Sequence, residues 1–85
     1  MAIEIIKKMI TNSTWIDPQK QVVYKFSENN QLCINGKTNL QYLVKKRNKK
    51  IILQLSSAQM YVIEYVNDFI LHIYSREEKF VITPA

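Results

Sequence analysis

A polar break recurs about every ten residues along this chain, and between breaks the apolar residues alternate one on, one off. The breaks are Asp17-Pro18, Glu28-Asn29-Asn30, Asn35-Gly36, Arg47-Asn48, Ser56-Ser57, Asn67-Asp68 and Ser75-Arg76-Glu77. Asn, Asp and Ser supply the turns because their side chains bond the nearby backbone. Glycine and proline are scarce, at Gly36, Pro18 and Pro84, which leaves no linker and no Gly-rich phosphate loop. Seven turns separate up to eight extended segments, the last expected to end before Pro84, which cannot donate to a ladder.

Within the segments one face repeats. Val22, Tyr24 and Phe26 share it, then Leu32 and Ile34, then Leu40, Tyr42 and Val44. Ile51, Leu53 and Leu55 continue the set, followed by Tyr61, Ile63 and Tyr65. Phe69, Leu71 and Ile73, and lastly Phe80 and Ile82, complete it. Period-two alternation of β-branched and aromatic residues predicts half-buried strands. The parity also constrains one turn. A two-residue loop at Asn35-Gly36 would set Leu32 and Ile34 on the side of Gln41, so a three-residue or bulged connection is expected there.

Before the first turn the period changes. Ile3, Ile6 and Ile10 stand at i, i+3 and i+7 with Glu4, Lys7 and Lys8 between them, which predicts a short amphipathic helix covering an open end or face of the sheet. The expected fold is therefore mainly β: an antiparallel up-and-down meander or small barrel of seven or eight short strands. Residues 1–12 form the helix and lead-in, residues 13–83 the meander, in one domain of 85 residues.

A chain this short buries only about 60–65% of the surface its unfolded form exposes, so its stability margin is thin. One cysteine, Cys33, allows no internal disulfide, and one histidine, His72, allows no Cys/His zinc cluster. A dense apolar core or self-association remains. The opposite parity carries Val23, Leu43, Ile52, Val62, Ile70, Tyr74 and Val81, more than a sheet with one wet face needs. A homodimer is the expectation this set raises. No apolar run reaches the roughly 20 residues of a membrane-spanning helix. Glu4, Lys7 and Lys8 interrupt any signal-peptide core, so a cytoplasmic, reducing location is expected. The Asn12-Ser13-Thr14 sequon reads as a chance occurrence in that setting.

The catalytic inventory is poor. His72 falls on the mixed face beside Ile70 and Tyr74, and Cys33 reads as a plain thiol. The seven carboxylates sit mostly at turns or on the polar face, with no pair spaced to flank one substrate. A non-enzymatic domain with no metal and no cofactor is expected. Charge is the sharper pattern. Lys45, Lys46, Arg47, Lys49 and Lys50 crowd one hairpin and equal the whole net charge of +5. Such a patch can grip phosphates of nucleic acid or an anionic surface, or it can be a solvated tip that resists aggregation. No tyrosine lies within that tip to stack on bases. Trp15, Tyr24, Tyr42, Tyr61 and Tyr65 fall with Phe26 on the interior side, where rings either fill the core or wall a small-molecule cavity.

The rhythm Tyr24-x-Phe26, Leu32-x-Ile34, Tyr42-x-Val44, Ile51-x-Leu53, Tyr61-x-Ile63 and Leu71-x-Ile73 follows a tryptophan at residue 15. From about Ser13 to Ile82 it resembles the small bacterial lipocalin-like (calycin) domains. Ser13-Thr14-Trp15 stands at the place of that family's Gly-x-Trp, with serine for glycine. The resemblance implies an up-and-down barrel whose interior holds an apolar ligand, small enough here for side chains alone to fill it. The leading expectation is thus a lipocalin-like domain that binds a small apolar ligand or a protein partner. The alternatives are nucleic-acid or anionic-surface binding through residues 45–50, and a structural dimerisation module.

Overall fold

Antiparallel strands joined only to their sequence neighbours leave two bare edges unless the first and last strands meet, and here they meet. The computed structural model describes residues 2–85. Helix α1 (Ile3–Asn12) precedes eight strands: β1 (Thr14–Asp17), β2 (Val22–Phe26), β3 (Gln31–Ile34), β4 (Thr38–Arg47), β5 (Lys50–Leu55), β6 (Met60–Asn67), β7 (Ile70–Tyr74) and β8 (Lys79–Pro84). They form a closed barrel in chain order. β1 pairs with β8 at Trp15↔Pro84 and Ile16↔Thr83. The last strand thus runs through Pro84 instead of stopping before it. Pro84 has no N–H, and the next amide serves the seam, Ala85 N–H donating to Thr14 O at 2.7 Å.

All seven expected breaks coincide with the observed connections, three of them beginning on the last residue of a strand, at Asp17, Arg47 and Asn67. The Asn35-Gly36 connection has the three residues that face parity demands, with Ile34 opposite Thr38. Asn35 and Gly36 both take positive φ, 54° and 70°. Asn35 also extends the ladder, its backbone N–H donating to Val23 O and its side-chain Oδ1 accepting from Val23 N–H, each at 2.8 Å. The β4–β5 hairpin turns on two residues, Asn48 and Lys49, with φ 50° and 67°. Two successive positive φ values match the right-handed strand twist, but a lysine in that region is disfavoured where glycine would be at ease.

Two residues expected inside are exposed, Tyr65 at 37% near the end of β6 and Phe69. Phe69 does not share the face of Leu71 and Ile73; it is 70% exposed, in the turn before β7. The register shifts between Tyr65 and Asn67, which oppose Leu71 and Ile70. Val66 is the extra residue of a bulge, so the alternation of β6 cannot be carried across the turn. Asn67 Oδ1 then holds the Phe69 N–H at 2.8 Å.

α1 plugs one end of the barrel rather than lying on its outer face. Ile6 and Ile10 are buried in the same cluster as Trp15, Phe26, Val44, Ile51 and Leu71. Successive antiparallel strands alternate direction. The entry to β1 and the β2–β3, β4–β5 and β6–β7 turns therefore lie at the helix end, and the other four turns lie at the opposite end. The helix is weak on its own: ten residues rich in isoleucine, with Ala2 supplying no side-chain cap. Packing holds it, together with the Trp15 indole, whose Nε1–H donates to the Ile10 carbonyl at 3.2 Å. That carbonyl belongs to the last helical turn and would otherwise be an orphan inside the core.

Replacing Ile10, 0% exposed, by alanine should cost about 2–4 kcal/mol of unfolding free energy. Ile5→Ala on the same helix, where the side chain is 55% exposed, should stay within about 0.5 kcal/mol. Urea unfolding followed by circular dichroism measures both, and equal effects would mean that the helix is not a plug.

Candidate ligand cavity and basic hairpin

The barrel end away from the helix is ringed by the β1–β2, β3–β4, β5–β6 and β7–β8 turns and is not filled. A cavity of about 100 Å³ opens there. Its walls are aliphatic, including Leu32, Ile34, Leu40, Leu53 and Ile73, because inward parity places those residues on neighbouring strands. Its rim is aromatic. Phe80 stacks on Tyr24, ring centroids 5.9 Å apart and planes 16° from parallel. Tyr61 meets Phe80 edge-on, also at 5.9 Å. Lys20 from the β1–β2 turn lies 5.5 Å from the Phe80 centroid.

Two polar side chains from the turns complete the mouth, Gln59 and Glu78. The Tyr61 hydroxyl donates to Glu78 Oε1 at 3.1 Å. Burial first, then this hydrogen bond, then the charge of Glu78, push Tyr61 up to about 12. Tyr24 is also raised, by burial first and then by the charges of Asp17 and Glu78.

Of the five aromatic residues singled out from sequence, Tyr24 and Tyr61 line the cavity and the other three do not. Trp15 is buried against the helix. Tyr42 is buried too, edge-on to Phe26 at 5.2 Å, with its hydroxyl donating to Ser27 O at 2.7 Å. Tyr65 sits near the other end of the barrel, exposed, its hydroxyl donating to Asp68 Oδ1 at 2.7 Å. Asp17 is the converse case. It reads from sequence as a turn residue, yet its side chain is 2% exposed. Its Oδ1 accepts from the Gln19 and Lys20 amides at 3.0 and 3.3 Å, which shapes the turn. Oδ2 is buried with no partner among the described residues. Parity with Trp15, two residues before it, was the signal for that inward position.

The five cations proposed for anion binding stand together. Lys45, Lys46 and Arg47 end β4, Lys50 begins β5, and Lys49 is in the turn. Arg47 faces Lys50 across the ladder. Lys45 Nζ donates to Gln54 Oε1 at 2.8 Å. The one contact between a basic nitrogen and a carboxylate within 4 Å among the described residues is elsewhere, His72 Nδ1 to Glu64 Oε1 at 3.8 Å. Cys33 on β3 and His72 on β7 are four strands apart around the barrel and form no pair.

Comparison of the chain with family models, with curated proteins and with solved structures returns no match.

The tyrosines of the mouth make a titration testable. A raised phenol value means that the protonated form favours the folded state. The stability it contributes is complete below the unfolded value of about 10 and is lost as pH climbs through that value toward the folded one. Tyrosinate absorbance should show Tyr61 ionising near 12. Glu78→Gln should lower both Tyr61 and Tyr24. A Tyr61 value unmoved by that substitution would contradict the mouth geometry.

Proposed function

We propose that this domain binds a small apolar molecule in the mouth of the barrel and performs no catalysis. The observation that carries this reading is the apolar cavity of about 100 Å³ behind the rim of Tyr24, Phe80 and Tyr61. Its volume sets the ligand class. A buried apolar cavity of about 150 Å³ holds benzene, and this space is smaller but open at the mouth, so it suits the end of a short alkyl chain or one small ring that reaches out into the mouth. A whole lipid tail does not fit. Polarity sets the orientation: the apolar body enters among Leu53, Ile73 and Ile34, while a hydroxyl or amine stays at the mouth beside Gln59 and Glu78. Glu78 favours a donor there and disfavours a carboxylate.

This reading agrees with the lipocalin-like expectation in its architecture and departs from it in scale. Self-association rests on a narrower basis than the sequence suggested. Closure removes the bare strand edges, so a homodimer would have to form through outer-face side chains, of which Leu43 is 52% exposed.

Phenol is a suitable probe, with benzoate as its charged counterpart. At millimolar phenol, NMR resonances of Leu53, Tyr61, Ile73 and Phe80 should shift, and benzoate should leave them in place. Leu53→Phe fills the space and should abolish the phenol shifts while the barrel stays folded. Absence of shifts at the lining residues in the unmodified protein would refute the reading.

A further inference from the structure

We propose that the helix-plugged end of the barrel docks on an anionic lipid surface. In this arrangement the β6–β7 tip enters the interface and the β4–β5 tip holds the headgroups. The starting point is a juxtaposition created by the fold. β5 and β6 are paired neighbours, so the tips on either side of them emerge side by side at the helix end. A groove running from there along β6 is lined by Lys49 and Lys50 from one tip, Glu64 and Tyr65 below the other, and Ile6 of α1. The cations and the apolar tip thus share one surface.

Both partners on that surface are unspent within the fold. Lys46, Arg47, Lys49 and Lys50 are exposed and make no ion pair among the described residues. Phe69 is 70% exposed at the apex of the neighbouring turn, and Val66, the bulge residue before it, is 44% exposed. The outer face of α1 adds exposed Ile5, with Lys8 one turn on. An apolar tip alone, or a basic patch alone, gives marginal membrane attachment, and the two together give stable attachment. Asp68 and Glu64 lie close by and reduce the local field without reversing it, since five cations stand in the β4–β5 hairpin.

The apolar members decide between a lipid surface and a nucleic acid. Single-stranded nucleic acid needs open ring faces beside the charge. Here the exposed ring stands at a turn apex that also carries exposed aliphatic Val66, which gains nothing from stacking but gains from entering the acyl boundary. Lys49 adds a second argument. It holds φ 67° at a turn position where glycine would be unstrained, so the hairpin keeps a cation at a conformational cost.

Co-sedimentation with vesicles tests the proposal. The protein should bind vesicles of equal parts phosphatidylcholine and phosphatidylglycerol and should not bind pure phosphatidylcholine. Added salt should weaken binding. Phe69→Ser should weaken it about tenfold. Lys49→Gly should raise the thermal midpoint while weakening binding about fivefold, the share of one cation at an anionic surface. That opposite movement cannot come from misfolding. Equal binding to both vesicle types overturns the proposal, as does binding indifferent to Phe69→Ser. Salt-sensitive capture of a single-stranded oligonucleotide with no vesicle binding also overturns it.

Discussion

The hydrogen bond from the Trp15 indole to the Ile10 carbonyl ties the end of the helix to the strand at which the barrel closes. Trp15 lies on β1, pairs with Tyr24 on one side and with Pro84 on the other, and is itself almost fully buried. The indole therefore touches the start of the meander, its closure and the helix at once. Without it the last turn of α1 would present a bare carbonyl to the core, leaving a short helix held by apolar packing alone, chiefly that of Ile6 and Ile10. The plug in turn lets Ile51, Ile63 and Leu71 stay dry where the strands end. A large ring with one polar atom suits this position, because it fills volume and still satisfies a backbone acceptor.

Strict up-and-down connectivity sorts the chemistry by end. Alternate turns go to alternate ends, so neighbouring stretches of sequence contribute to different surfaces. The mouth collects Tyr24, Tyr61, Phe80 and Glu78, and the plugged end collects the cations and Phe69. The length of the strands keeps these two surfaces apart without a second domain.

Much of this was legible from alternation. Turn positions, the three-residue connection at Asn35 and the inward set of β2 to β5 all follow from period two and turn chemistry, because a one-residue slip would expose a whole strand face. Phe69 was misplaced because a bulge leaves no mark in an apolar pattern; Phe69, Leu71 and Ile73 alternate well on paper. The cavity was half legible for a different reason. Parity states which face a side chain takes, not its height along the barrel axis. Trp15, Tyr42 and Tyr61 all face inward, but strand stagger puts only Tyr61 of these three at the cavity. Gln59 and Glu78 were overlooked because the direction of a turn side chain depends on turn conformation. The basic hairpin was plain in the sequence, whereas its apolar neighbour across β5 and β6 emerges only from the ladder.

The seam between β1 and β8 has a bearing on how such a barrel comes to exist. Every other ladder joins strands that follow one another in the chain, so each hairpin can form by closing a short loop. The seam alone joins residues from the two ends of the meander, Trp15 with Pro84 and Ile16 with Thr83. Long-range pairing bears its entropy before it returns any contact energy, and the ladder of this seam is two residue pairs wide and includes a proline. Loop-closure entropy therefore favours an assembly in which closure of the seam comes last. The same order in reverse makes the seam the first line along which the wall parts, with β1 and its helix leaving as one unit.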